Sequence, residues 1–150
     1  MDSYIKYLDE SMGKLITYAN LIDQVKHDCG IGILLSPPEI HLLEAIVNHP
    51  GYNTTNLGEV IGLLKGTLSK RAKHLEDLKL ITKYQIAGNK KEIFYEVTPL
   101  GKIAYEGHYK YHDEVSAPFY KWIKEQPKED LEVFLNFVQR YTEYLKDYLK

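Results

Sequence analysis

The chain has 150 residues, a length that favours one domain with a single apolar core over two domains. Hydrophobic residues make up 44% of it and charged residues 27%, as in ordinary globular proteins, and no apolar run approaches the roughly 18 residues of a membrane span. The net charge of -2 argues against a uniformly basic, nucleic-acid-coating protein but leaves room for a local basic patch.

The first ten residues are acidic and polar, whereas a signal peptide begins basic and continues apolar. We therefore expect a cytoplasmic location. Cys29 is the only cysteine, so no internal disulfide can form, and the fold must rest on packing or on a second chain.

Two helices are predicted in the first third of the chain. Apolar residues recur every three or four positions from residue 3 to about residue 27, which predicts a long amphipathic helix that ends before Gly30 and Gly32. The sequence SPPE at residues 36–39 then supplies a capping serine, a proline at the first helical position and a capping-box glutamate. This second helix should run to about Asn48.

The next two helices are joined by a tight turn. A short helix is expected at about residues 54–61, stopped by Gly62, and a longer one at about residues 65–79. The inward stripe of the longer helix leaves a basic, hydroxyl-bearing face outside. This arrangement is a helix-turn-helix unit, whose second helix enters a DNA major groove.

A change of apolar period from 3.6 to 2 follows this unit. Residues 81–86 and 92–97 alternate as two strands of a hairpin. The tip holds Gly88, Asn89, Lys90 and Lys91, a cationic finger suited to phosphates or a minor groove. A helix-turn-helix followed by such a hairpin is a winged helix.

Long amphipathic helices are also predicted at the end of the chain, from Thr98 and Pro99 to about Lys124 and again from about Pro127. Neither terminal segment can cover its apolar stripe with the small central module, so we expect both to pack against a second copy of the chain. The alternative is a monomer with an intramolecular helical layer. The predicted class is mainly α with a small β-hairpin wing (α+β).

Charge is distributed unevenly along the chain. Residues 65–91 contain eight Lys or Arg residues against Glu76 and Asp77, a net charge of +6, while the remainder carries -8. The patch is either a solvated basic face or a DNA-binding face. Its coincidence with the predicted second helix and the hairpin tip favours DNA.

From LSPPEIHLLEAIVNHPG to NKKEIFYEVTPLGKIAYEGH, about residues 35–115, the sequence resembles the MarR family of transcriptional regulators. The resemblance implies one domain over residues 1–150, with a winged-helix lobe at about 35–98 and dimerisation helices at about 1–34 and 99–150. It also implies a homodimeric repressor that binds a pseudo-palindromic operator in double-stranded DNA, with a small-molecule or metal pocket between the lobes and the dimer region.

The resemblance also implies which residues contact DNA. Members of the family often carry an arginine in the wing, whereas Asn89, Lys90 and Lys91 stand here, so we expect phosphate contact more than base reading from this wing. Leu64 stands where a Ser or Thr usually caps the recognition helix. The matching DNA-contact positions are Lys65, Thr67, Ser69, Lys70, Arg71 and Lys73 in the helix and Gly88, Asn89, Lys90 and Lys91 in the wing.

The histidines suggest a metal site. His108 and His112 lie four residues apart on one predicted helix, a spacing that allows a shared metal but also occurs in polar seams. The zinc-sensing branch of the MarR family is similar at His108, His112 and His41, with Asp23 where that branch has Glu. These four residues would form a closed tetrahedral zinc site.

Other features of the resemblance weigh against metal. Cys29 corresponds to part of a second metal position in the zinc-sensing branch, but Ile40 and Gly107 stand in the other ligand positions and cannot coordinate. The fatty-acid-synthesis regulator branch has similar histidines without sensing zinc, so these residues would then only line a seam between helices.

Two other classes of function remain as alternatives. An enzyme is disfavoured, because the sequence has no GxSxG motif and no Gly-rich phosphate loop, and Tyr109 stands where a zinc protease needs glutamate. A winged-helix protein-interaction module without DNA binding is the second alternative. The concentration of charge on the elements that would meet a duplex argues against it.

Overall fold

The computed structural model describes residues 2–148, which divide into two compact units, residues 2–111 and residues 112–148. No helix among the described residues is long and apolar enough to cross a bilayer.

The elements in chain order are α1 Ser3–Ile22, β1 His27–Asp28, β2 Leu34–Leu35, α2 Pro37–Asn48, α3 Thr54–Ile61, α4 Lys65–Asp77, β3 Ile81–Tyr84, β4 Phe94–Val97, α5 Pro99–Lys124 and α6 Lys128–Asp147. The prediction of a mainly helical protein with a small hairpin is confirmed.

The core of the first unit lies where α2 packs against α3, α4 and β4. Each of these elements turns one apolar face inward, as its periodicity predicts. The fully buried side chains come from all parts of this layer and include Leu35, Ile40, Leu42, Leu43, Leu57, Leu68, Leu75, Leu80 and Ile81.

The start of α2 is fixed by Ser36 and Glu39. The Ser36 N–H donates to Glu39 Oε2 at 2.7 Å, and the Ser36 hydroxyl donates to the same oxygen at 2.8 Å. Glu39 Oε1 also lies 2.5 Å from Nδ1 of His74 on α4. Burial alone would raise the pKa of Glu39, but the hydrogen bonds from Ser36 and His74 outweigh it and hold the pKa below its usual value. The predicted boundaries of α2 are confirmed.

The turn between α3 and α4 follows the prediction. Gly62 ends α3 in the left-handed conformation at φ 69°, and α4 begins at Lys65 after Leu64, which offers no side-chain cap. The predicted end of α4 at Lys79 is two residues too late, because Lys79 itself turns to φ 61° and sends the chain into β3.

The wing is an antiparallel hairpin in which Ile81 pairs with Val97 and Tyr84 with Phe94. A single bridge from Asn53 to Phe94 ties the residue before α3 to the same sheet. Both strands are shorter than predicted, 81–84 and 94–97 instead of 81–86 and 92–97, because turn hydrogen bonds occupy the residues between them.

The predicted end of the first helix is wrong. α1 ends at Ile22, and β1 pairs with β2 in register His27 to Leu35. The cause is Asp28, whose Oδ1 accepts hydrogen bonds from the N–H groups of residues 30, 31 and 32 at 2.9 to 3.0 Å. In this turn the Asp28 side chain accepts the backbone N–H hydrogen bonds that carbonyl groups accept in a helix.

Thr98 joins three elements at the start of α5. Its hydroxyl lies 2.7 Å from the carbonyl oxygen of Lys79 and 3.1 Å from that of Leu80, and it accepts a hydrogen bond from the Gly101 N–H at 3.1 Å. The predicted cap of α5 is therefore present, and it also binds the segment that links α4 to β3.

The terminal helices differ from the lobe in burial. None of the residues of α1 or α6, all of which belong to the described part of the chain, is buried. In the second unit α5 continues through Pro118 to Lys124, and α6 begins at Lys128, directly after Pro127.

Candidate nucleic-acid interface and histidine cluster

One face of α4 is buried and the other is open. Leu68, Ala72 and Leu75 point into the core. Because residues on one face of a helix recur every three or four positions, the cationic and hydroxyl side chains lie outside. Of the predicted DNA-contact residues, Arg71 is half-buried, and the exposed ones are Lys65, Thr67, Ser69, Lys70 and Lys73.

The two acidic residues of the patch are paired with two of its cations. Lys73 Nζ lies 2.6 Å from Asp77 Oδ1, and this contact raises the pKa of Lys73. Lys83 Nζ lies 3.5 Å from Glu76 Oε2. Lys65, Lys70 and Arg71 form no ion pair with any residue between 2 and 148. Of the six cations of the patch without an ion pair among residues 2–148, three therefore lie on the first half of α4, the part of a recognition helix that reaches base edges, and the others are Lys79, Lys90 and Lys91.

The wing tip is held by side-chain hydrogen bonds. Asn89 Oδ1 accepts from the N–H groups of Lys91 and Glu92 at 3.2 and 3.3 Å, and its N–H donates to the carbonyl of Ile86 at 2.9 Å. Gly88 adopts φ 85°, which only glycine reaches without strain. The Asn89 side chain thus shapes the tip, while Lys90 and Lys91 remain accessible, Lys90 on the wing tip and Lys91 beside it.

Glu92 connects this tip to the helix-turn-helix. Its carboxylate accepts hydrogen bonds from the side-chain amides of Asn89 and Asn53. The Asn53 side chain also accepts from the Asn56 N–H at 2.9 Å, which caps α3. The cationic tip is consequently positioned relative to α3 by a continuous chain of polar contacts.

A separate cluster joins His27, Cys29 and His108. The potential ligand atoms of these three residues lie within 4.8 Å of one another, and His27 Nε2 is 3.1 Å from His108 Nδ1. Cys29 and His108 are buried, and His27 is half-buried. Burial, with a further contribution from the charge of Asp28, raises the pKa of the Cys29 thiol to about 11.

A glycine on α5 makes this cluster possible. A Cβ at Gly107 would lie 1.9 Å from the carbonyl oxygen of Cys29, so any side chain there would push β1 away from α5. With Gly107 in place, the backbone of Cys29 rests directly on the helix that carries His108. Gly107 cannot ligate a metal, but because it has no side chain the Cys29 thiol lies close to the His108 imidazole.

Three of the four predicted zinc ligands lie in the first unit. Asp23 is exposed at the carboxyl end of α1, and His41 is exposed on α2, with its ring centroid 6.2 Å from that of His108. His112 belongs to the second unit, where its Nδ1 lies 3.3 Å from the Ser116 hydroxyl. The four-residue set stays a prediction.

His27 is a candidate metal ligand that the predicted helical periodicity does not reveal. In a helix, residues two apart point in nearly opposite directions, whereas in an extended strand they share a face. A helix that continues to about residue 27 therefore separates His27 from Cys29, and the extended backbone of β1 brings them together. The signal that could have found them is the pattern HDCG, in which an aspartate before a glycine starts a turn.

Comparison with known proteins finds a family match for the part of the chain that contains α2, α3, α4 and the first half of the wing. Residues 35–93 match the family model described as the MarR family. The HTH-type transcriptional regulator PchR of Bacillus subtilis (strain 168) is 26% identical over 107 residues, which are 71% of this chain and 63% of that protein. The uncharacterized HTH-type transcriptional regulator YhjH of the same strain is 28% identical over 109 residues, 73% of this chain and 54% of YhjH. The chain thus spans between about half and two thirds of these relatives.

Solved structures share the fold over nearly the whole chain. Streptococcus pneumoniae FabT in complex with DNA has a TM-score of 0.68 at 18% identity and covers 97% of this chain and 99% of FabT. The zinc-responsive MarR family member ZitR of Lactococcus lactis has a TM-score of 0.65 at 15% identity, covering 95% and 99%. The adhesin competence repressor AdcR of Streptococcus pyogenes has a TM-score of 0.66 at 21% identity, covering 93% and 96%.

Proposed function

We propose that this chain, whose residues 35–93 match the MarR family model, is a dimeric repressor that binds a pseudo-palindromic operator in double-stranded DNA. The observation that carries the proposal is the charge on α4. Lys65, Lys70 and Arg71 stand without ion-pair partners among residues 2–148, on the first half of the second helix of a helix-turn-helix.

The two DNA-facing elements have different roles in this proposal. α4 enters the major groove, where Lys70 and Arg71 reach base edges. Lys90 and Lys91 on the wing contact phosphates, since a lysine ammonium is a point charge without the planar fork of arginine. The Asn89 side chain accepts hydrogen bonds within the wing tip, so it contributes to DNA binding indirectly, through the conformation of the tip.

Dimerisation is supported by the exposed apolar faces of the terminal segments. α1 and α6 contain no buried residue, although each has an apolar stripe at helical spacing. In the proposed arrangement one domain spans residues 1–150, with a DNA-binding lobe at about 35–98 and dimerisation helices at about 1–34 and 99–150. A two-fold dimer places two copies of α4 in successive major grooves, about 34 Å apart.

An effector would act by favouring one spacing of the two lobes. The effector is a small molecule or a metal, and zinc is supported by two observations. The fold is shared with the zinc-responsive ZitR, and His41 and His108 meet in the first unit. Asp23, His41, His108 and His112 are the ligands proposed for it. No catalytic activity is part of the proposal, because the relatives in sequence are transcriptional regulators.

Selection of binding sites from a random pool of duplexes, followed by affinity measurements over a range of salt, tests the proposal. The expected product is an inverted repeat. Lys70→Ala or Arg71→Ala should weaken binding to it by about 1 to 3 kcal/mol and relax sequence preference, because each removes a base contact. Lys90→Ala should weaken binding to all duplexes alike and reduce the salt slope by about one.

Lys128→Ala is the matched control, since Lys128 is an exposed cation on α6, outside the proposed interface. It should leave operator affinity unchanged. Absence of binding to every duplex at low salt, or equal small effects of all four variants, would overturn the proposal in favour of a protein-interaction module.

A further inference from the structure

We propose that His27, Cys29 and His108 form a zinc site with two imidazole ligands and one thiolate, distinct from the four-residue set described above. All three ligands belong to the first unit, and the site does not depend on DNA binding by the chain. Only His108 is common to the two sets.

The two imidazoles already have the spacing that zinc requires. Zinc–nitrogen bonds of about 2.0 to 2.1 Å in a tetrahedral site place two ligand nitrogens about 3.3 Å apart. His27 Nε2 and His108 Nδ1 are 3.1 Å apart. The Cys29 thiol and one ring nitrogen of each histidine lie within 4.8 Å of one another. Tetrahedral bonds of about 2.3 Å to sulfur and about 2.05 Å to nitrogen place the two atoms about 3.6 Å apart, so the thiol has to close by about 1.2 Å at most.

The surroundings keep the three ligands in place. Pairing of His27 with Leu35 fixes β1, and the Cys29 backbone rests against Gly107 of α5. The ring of Tyr111 stacks on that of His27, with centroids 4.4 Å apart and an interplanar angle of 18°. Such support limits the reorganisation needed on binding.

The donor set selects the class of metal. Two neutral imidazoles and a thiolate suit zinc and other thiophilic ions, whereas magnesium and calcium require oxygen ligands. Zinc displaces the thiol proton of Cys29, which passes to solvent, so the bound site carries one negative ligand. His27 is half-buried and gives the ion a path of entry, and solvent water can complete the coordination.

The test uses the purified full chain, stripped of metal and titrated with Co²⁺ and with Zn²⁺ against a chromogenic chelator. Cobalt should give a thiolate-to-metal charge-transfer band in the near ultraviolet. Cys29→Ser should abolish that band, and His27→Ala should lower zinc affinity at least tenfold. His49→Ala is the control, because His49 is a half-buried histidine on the lobe, stacked on Tyr52 and outside the cluster. It should leave both readouts unchanged.

Variants of the four-residue set separate the two hypotheses. His41→Ala and His112→Ala should retain the charge-transfer band if the ligands are His27, Cys29 and His108. Zinc and cobalt binding that depends on His41 and His112 but not on His27 or Cys29 would overturn the proposal, as would cobalt binding without a thiolate band. Since Cys29 is buried, circular dichroism checks that Cys29→Ser folds. If that variant does not fold, the zinc affinity of the more exposed His27→Ala decides between the two sets of ligands.

Discussion

The lobe and the terminal helices differ in how far their apolar side chains are buried. In the lobe, α2, α3, α4 and the hairpin enclose one another's apolar faces, and their leucines are fully buried. In α1 and α6, apolar side chains recur just as regularly, yet none is buried. Periodicity alone therefore predicts a helix and its apolar face, but whether that face is covered within the chain depends on neighbouring elements.

The largest expected effect comes from removing a core side chain of the lobe. Leu68→Ala should lower the free energy of unfolding by about 2 to 5 kcal/mol, because Leu68 is fully buried and its loss leaves a cavity. Urea unfolding followed by circular dichroism measures this. Leu64→Ala, four residues earlier and largely exposed, should change stability by less than about 0.5 kcal/mol. Equal losses would mean that the two leucines do not differ in burial.

A charge on the apolar stripe of α6 tests the terminal helices. Val138→Glu should weaken self-association about a hundredfold, roughly 3 kcal/mol, because a carboxylate would be buried in the proposed dimer. Sedimentation velocity over a range of concentrations measures it, and the far-ultraviolet spectrum should keep its helical signal. Asn136→Glu, on the opposite side of α6, should leave association unchanged. A monomeric wild-type chain would contradict this part of the comparison.

A glycine at the junction of the lobe and α5 should be irreplaceable. A Cβ at Gly101 would lie 2.1 Å from the carbonyl oxygen of Leu80, so Gly101→Ala should lower stability by about 1 to 3 kcal/mol. Gly66→Ala is the matched control, since a Cβ there meets nothing within 4 Å. It should raise stability by about 0.5 to 1 kcal/mol, because alanine favours a helix. Thermal unfolding of both variants measures the difference in sign.

The smallest effect is expected from the carboxylate that caps α2. The pKa of Glu39 is lowered in the folded chain, so its charge stabilises the fold above the unfolded pKa of about 4.3, and this contribution disappears as pH falls through the folded value. Glu39→Gln should therefore cost about 1 to 2 kcal/mol at pH 7 and progressively less on acidification below about pH 4.

Urea unfolding at several pH values measures the effect of Glu39→Gln. Glu59→Gln, on the exposed side of α3, is the control and should show no comparable loss. A cost for Glu39→Gln that stays constant down to about pH 3 would contradict the role given to the charge.

The sequence predicted the lobe well because its boundaries depend on local chemistry. Ser36 with Glu39, Gly62, and Thr98 with Pro99 each fix a helix end through residues that are neighbours in the chain. The region after α1 was predicted wrongly because its conformation depends on a turn at Asp28 and on pairing with β2. Periodicity cannot distinguish such a short strand from the end of an amphipathic helix.

The candidate sites were predicted in part. The cationic positions of α4 followed from its apolar stripe, but the pairing of Lys73 with Asp77 and the use of Asn89 within the wing depend on side-chain placement. The approach of His27 and Cys29 to His108 joins residues about eighty positions apart, at a contact permitted by Gly107. A single sequence contains no direct signal for that contact.

A single hydroxyl, that of Thr98, holds the first turn of α5 against the connection between α4 and β3. It bonds the carbonyl groups that follow α4 and precede β3, and it also caps the first turn of α5. The orientation of that turn is therefore set directly by the connection between α4 and the hairpin.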